Sequence, residues 1–215
     1  MTDMYVPVFN ALDDLAAIRE MVTGVGAAEL VTVGPDGYPL ATRLPVVWDE
    51  EGGLLVMHLA RANPHWRSIP IDGDAPALAV VTDAEAYVSP AWYPAKAEHG
   101  RVVPTWNYSA VQFTGRVRRH EDVEWLRAAV TMLTEQHESS RAEPWAVTDA
   151  PATYVDKQLR AIVGLELTIE RVEAKAKLSQ NRSEEDRLGV VRGLRAEGGP
   201  RESDLAGQME RQQEG

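Results

Sequence analysis

Two hydrophobic periods run along this chain, and the first change between them comes early. Leu12, Leu15, Ile18 and Met21 recur at helical spacing, with Asp13 and Asp14 at the start, where the helix dipole favours acid, and Gly24 marks an end. AELVTV (28–33) is rich in β-formers, and GPDG (34–37) supplies turn chemistry before a second β segment, Tyr38 to Trp48. A second acidic turn, Asp49 to Gly53, leads into LLVMHLA (54–60). Three strands with connections this short predict an antiparallel sheet rather than βαβ units.

Asn63-Pro64 reads as a cap followed by proline at the first helical position, predicting a short helix over 63–69. ALAVVTD (77–83) and AYVSPAWY (86–93) predict two strands joined by a tight turn, then a polar loop over 94–104 and a long strand over 105–120. Helical spacing returns over 122–138 and 152–163, LELTI (165–169) alternates as a strand, and Ser183 with Asp186 forms a capping box for a helix ending near Leu194. The pattern predicts an α+β protein, mainly β, whose antiparallel sheet of six or seven strands closes into a barrel with flanking helices. It predicts one domain over 1–197 and a mobile polar tail over 198–215.

Composition narrows the function. The chain has 215 residues with 22 Lys+Arg against 33 Asp+Glu, a net charge of −11, which argues against direct binding of DNA without a localised basic face. There is no cysteine, so thiol catalysis and Cys-ligated zinc are excluded and a reducing compartment is suited. No apolar run is long enough to span a bilayer, and the N-terminus lacks a leader pattern. The expectation is a cytoplasmic protein without membrane association.

Three segments carry residue types that a core does not need. HLARANPHW (58–66) joins a strand to a helix and brings together Arg61, Asn63 and free backbone amides, a set suited to phosphate. It reads equally as an ordinary capped junction. YVSPAWYPAKAEHGRVVPTWNY (87–108) interleaves Trp92, Tyr93, Trp106 and Asn107 with basic and hydroxyl groups, as a wall for a flat small-molecule ligand would, or as sheet packing under a proline-stiffened loop. KLSQNR (177–182) is a compact polar group that identifies no reaction. The five histidines show no zinc-binding spacing, and no nucleophile elbow is present, so catalytic residues stay unassigned and no metal is expected. Residues 58–67 and 87–108 together carry a net +3 within an acidic chain, which suits a small anion better than a duplex.

MYVP, HLARANPHW, AYVSPAWYP with KAEHGRVVPTWNY, PWAVTDAP and KLSQNRSEEDRLGV occur in the order and spacing of the PaiB family, and the resemblance covers residues 4–195. It implies a split β-barrel similar to that of pyridoxamine-phosphate oxidase and flavin reductases, with FMN in a groove between the subunits of a homodimer. It further implies a negative transcriptional regulator. The alternative is an FMN-dependent oxidoreductase, and a haem-handling protein using His58 or His99 ranks third. Carried over residue by residue, Thr42, Arg43, Arg61 and Asn63, with His58 at the head of their motif, resemble the part that holds the flavin phosphate. Trp92, Tyr93, Trp106 and Asn107 resemble the pocket aromatics, and Lys177, Ser179, Gln180 and Arg182 resemble the C-terminal motif near the dimer groove. Many relatives have Trp before the last motif, where this chain has Ala176.

Overall fold

The computed structural model describes residues 4–214. Among them, strands β1 (Ala27–Val33), β2 (Pro39–Asp49), β3 (Leu54–Ala60), β4 (Ala75–Val88), β5 (Thr105–His120) and β6 (Ile162–Lys177) form one antiparallel sheet in the order β1-β2-β3-β6-β5-β4. The sheet closes because Glu29–Thr32 of β1 pairs with Ala77–Val80 of β4, which removes the exposed edges of an open sheet. The helices are α1 (Leu15–Val25), α2 (Ala95–His99), α3 (Val123–Glu138), α4 (Ala152–Leu159), α5 (Glu184–Glu197) and α6 (Pro200–Glu214). No helix among the described residues is long and apolar enough to cross a membrane.

The chain divides into two compact units, and three long strands each contribute residues to both. The barrel unit holds residues 15–81 and 112–172. The turn chemistry at GPDG sets the register of β1 on β2, from Val33 opposite Pro39 to Ala27 opposite Pro45. Leu30, Val46, Leu55, Met57, Phe113, Leu165 and Leu167 are fully buried, and Trp48 meets the Phe113 ring edge-on at 5.0 Å. Asp122 caps α3 by accepting the Trp125 amide, and α3 and α4 bury Leu126, Val155 and Leu159 together. Gly164 is required there, because a Cβ at that position would lie 2.1 Å from the Trp125 ring.

The terminal unit holds 4–14, 82–111 and 173–214. Its core is Ala86, Val88, Tyr93, Ala176, Leu178, Val190, Leu194, Leu205, Ala206 and Met209. Trp92 lies against α5, where Gly189 and Gly193 leave the space; a Cβ on Gly193 would stand 2.2 Å from the indole. Gly198, at φ +71, ends α5 in the left-handed region, and Arg195 pairs with Glu210 of α6 at 2.6 Å.

Three expectations need correction. Residues beyond Gly198 form a helix rather than a polar tail with little to bury, because Leu205, Ala206 and Met209 share one face despite the polar average. The two strands placed over 77–93 are one continuous β4, since Ala84 and Glu85 supply no turn chemistry. The polar loop over 94–104 contains α2, closed by Gly100 at φ +68.

Candidate functional site

In the barrel unit the chain from Asn63 to Ser68 turns beneath a small cavity of about 330 Å³, lined among others by Leu40, Thr42, Asn63, His65, Arg67 and Ser68. Asn63 accepts the His65 amide proton on Oδ1 (3.0 Å), as its capping role requires, and thereby turns its Nδ2 toward Thr42 Oγ1 (3.3 Å). His65 is 3% exposed. Its Nδ1 lies 2.7 Å from Thr42 Oγ1 and its Nε2 lies 2.9 Å from Thr32 Oγ1. Thr32 continues to Ser68 Oγ at 2.7 Å, and the Ser68 hydroxyl donates to the His65 carbonyl at 2.8 Å. Burial lowers the pKa of His65, since nothing around it compensates the charged form.

Arginines surround the same segment in different ways. Trp66, whose Nε1 donates to Arg61 O at 3.0 Å, has the guanidinia of Arg119, Arg67 and Arg61 at 5.0, 5.4 and 5.9 Å from its ring. Arg61 is committed elsewhere: it pairs with Glu121 at 2.6 Å and donates to the carbonyls of Arg160 and Ile162. Arg43 pairs with Glu29 at 2.7 Å. Arg67 is exposed and, among the described residues, has no carboxylate within ion-pair distance, so it is the free guanidinium at the cavity. His58 lies on β3 with its Nδ1 buried and unpaired, and burial holds its pKa down.

The remaining candidates fall in the terminal unit and turn inward. Asn107 is fully buried and donates to Ser179 Oγ at 2.9 Å, leaving its Oδ1 unpaired. Ser179 adopts φ +66, a left-handed conformation that is unfavourable for serine and is held here by that hydrogen bond. Lys177 donates to Thr105 Oγ1 and to the Trp106 carbonyl, and burial lowers its pKa. Gln180 closes a local loop, donating to Ala176 O and accepting from Leu178 N. Arg182 lies over the Tyr93 ring at 4.9 Å, and Tyr93 is 2% exposed. Trp106 alone of this group stands well open, 44% exposed, with its Nε1 on Glu85.

The structure thus brings Thr42 and Asn63 together at one cavity, turns Arg43 and Arg61 to other partners and leaves His58 Nδ1 buried without one. His65, Thr32, Ser68 and Arg67 were missed as site residues. His65 stands within the quoted motif, but its partners come from β1 and β2, more than twenty residues away. No group of acidic or histidine side chains that could hold a metal exists among the described residues.

Comparison with known proteins agrees with this fold. The family model described as "Putative FMN-binding domain" matches residues 4–171. The protease synthase and sporulation protein PAI 2 of Bacillus subtilis is 31% identical over 209 residues, 96% of this chain and 97% of that protein. Among solved structures, the FAD and heme binding protein from Mycobacterium smegmatis superimposes with a TM-score of 0.59 at 19% identity, covering 88% of this chain and 80% of that one. The flavocytochrome Anf3 from Azotobacter vinelandii gives a TM-score of 0.52 at 16% identity, covering 86% and 78%. At these identities the two structures share the fold alone.

Proposed function

The chain belongs to the PaiB family of FMN-binding-domain proteins, and from that premise we propose that it is an FMN-holding regulator whose cofactor phosphate enters the cavity beside His65. The observation that carries this reading is the polar set there: the Arg67 guanidinium and the remaining Nδ2 proton of Asn63 as donors, with the Thr42 and Ser68 oxygens beside them. A guanidinium and an amide donor beside hydroxyl oxygens suit a phosphate monoester and its adjoining polyol. The volume, about 330 Å³, is at the small end for ligand sites and suits that end of the cofactor. Bound FMN supplies a ring that accepts and returns electrons. Arg67 neutralises the phosphate, while Arg43 and Arg61 contribute only by exchanging Glu29 and Glu121 for the ligand. Among the terminal-unit candidates Trp106 is the exposed aromatic. Trp92, Tyr93, Asn107, Lys177, Ser179, Gln180 and Arg182 serve the packing of their own unit.

The working form in this reading is a homodimer with the flavin at the interface. Exposed Val33 and Tyr38 flank the turn whose Pro35 lines the cavity, and an apolar rim beside a half-open site is what a second copy would cover. Regulation then proceeds through the ligand state rather than by broad DNA contact. Arg116 is paired with Asp74, and Arg118 and Arg119 make a basic feature narrower than a duplex would need.

The test is the absorbance spectrum of the purified protein before and after adding FMN, with light scattering on the same sample. Resolved flavin bands, one FMN per chain and a dimer mass are expected. A protein that leaves FMN fluorescence unquenched at micromolar concentration would refute the reading. Salt-dependent anisotropy of labelled promoter fragments that reached nanomolar affinity would replace the indirect mode of regulation with a direct one.

A further inference from the structure

The hydrogens around His65 can be assigned by counting. A hydroxyl has one proton to give, and a neutral imidazole has one N–H and one acceptor nitrogen. Ser68 spends its proton on the His65 carbonyl, which can only accept. Thr32 must therefore donate to Ser68 Oγ across 2.7 Å. With the Thr32 proton spent, His65 Nε2 must be the donor across 2.9 Å, which makes Nδ1 the acceptor of the neutral ring. Thr42 then donates to Nδ1 across 2.7 Å, and Asn63 Nδ2 donates to Thr42, consistent with Asn63 Oδ1 accepting the His65 amide.

The chain of donors has one consequence at the cavity. While His65 is neutral, the Thr42 proton points into the protein, and Thr42 offers the cavity only a lone pair. That repels an anion. If Nδ1 takes up a proton it becomes the donor, and the Thr42 hydroxyl is released to donate outward. We infer that His65 is the positioning residue that sets the polarity of Thr42, so that binding of a phosphate or sulfate group in the cavity is coupled to uptake of one proton at His65 Nδ1. This rests on the phosphate-holding reading of the same cavity and adds the residue that gates it.

The surroundings make His65 responsive. β1 contributes Thr32 and β2 contributes Thr42, both uncharged. On its own segment Arg67 is the charged group among the residues lining the cavity. The ion pair of Arg43 with Glu29 on the β1–β2 hairpin is closed on itself. Burial alone holds His65 neutral in the free protein. An incoming anion reverses the balance with its own charge.

The experiment is nitrogen NMR of histidine-labelled protein, titrated in pH with and without sodium sulfate, which does not itself titrate near neutrality. In the free protein His65 should show protonated Nε2 and bare Nδ1. With saturating sulfate both nitrogens should become protonated and the titration midpoint should rise by at least one pH unit, with sulfate affinity rising up to tenfold per unit of falling pH. His65→Gln, which keeps one donor and one acceptor but takes up no proton, should bind sulfate with affinity independent of pH. If that variant does not fold, the wild-type titration decides. An Nδ1–H tautomer in the free protein, or sulfate binding that leaves the His65 midpoint unmoved, overturns the coupling while FMN binding stands. If neither sulfate nor FMN binds, the phosphate-holding reading falls and the coupling falls with it, even where the tautomer is as assigned.

Discussion

The HLARANPHW segment of the barrel unit and the KLSQNR segment of the terminal unit, each with its neighbours, draw on similar materials: an amide and a basic head group with hydroxyls and aromatics close by. Their polar atoms end in different places. Asn63, Thr42 and Ser68 reach a cavity, with an unpaired Arg67 at its edge. Asn107, Ser179, Lys177 and Gln180 bond to one another's surroundings, over a core that includes Leu178 and Met209. A polar cluster whose donors are spent inside a packed unit rigidifies it, even with the Asn107 Oδ1 left over. One that leaves donors at an opening can take a ligand. Density of chemistry-bearing residues in a sequence does not distinguish the two, whereas the count of unspent donors does.

The sharpest way to break that contrast is through stability. Leu205→Ala removes a fully buried side chain of α6 and should cost about 2–5 kcal/mol in chemical denaturation. A loss under about 0.5 kcal/mol would mean that α6 is not packed on its unit. The second test reads ligand instead. Arg67→Ala should weaken FMN binding by about tenfold to a hundredfold, the worth of a charged hydrogen bond, with stability almost unchanged. Lys177→Ala should do the reverse, leaving FMN affinity in place while lowering stability, because its ammonium bonds only to Thr105 and Trp106. If Lys177→Ala lost FMN and Arg67→Ala did not, the assignment of roles to the two segments would be inverted.

Much of the barrel was legible because its signals are local. GPDG fixes the β1–β2 turn within four residues, and Asn63-Pro64 starts the short helical turn where the capping rule places it. The candidate site was legible only in part. Thr42 was named through family resemblance and Asn63 also from its capping position, but Arg61 and Arg43, equally basic in sequence, are neutralised by Glu121 after β5 and by Glu29 across the β1–β2 pair. His65 looked like one of five unremarkable histidines, since its two threonine partners come from β1 and β2. The same limit hid α6. Three buried apolar residues in a helix of fifteen make a poor average but a sufficient face once Leu194 and Val190 lie opposite.

Gly193→Ala should cost about 1–3 kcal/mol, since the new methyl group meets the Trp92 indole and the ring must shift. It tests whether the tryptophan of the second motif is held as core. Gly193→Ser should behave in the same way, and an unchanged denaturation midpoint in both would mean that Trp92 is free to leave α5.

The smallest effect separates the two units by pH. In the barrel unit His58, His65 and His120 all have pKa values lowered from 6.5, chiefly by burial. Below that value the unfolded chain binds protons that the folded one refuses, so stability is fully present above about pH 6.5 and falls as pH drops toward the lowered values. In the terminal unit Lys177 is lowered from 10.5, so the corresponding rise of stability with pH lies on the alkaline side. Asp83, raised from 3.8 by burial, works in the opposite direction at acid pH, where its folded form keeps a proton longer. Hydrogen exchange followed from pH 8 to pH 5.5 should therefore show protection lost first in β1 to β3. His65→Gln should remove part of that loss, and saturating sulfate should remove the same part in the wild type, because a His65 already protonated by the bound anion no longer resists acid. Sulfate protection that persisted undiminished in His65→Gln at pH 5.5 would assign the acid sensitivity to His58 and His120 instead.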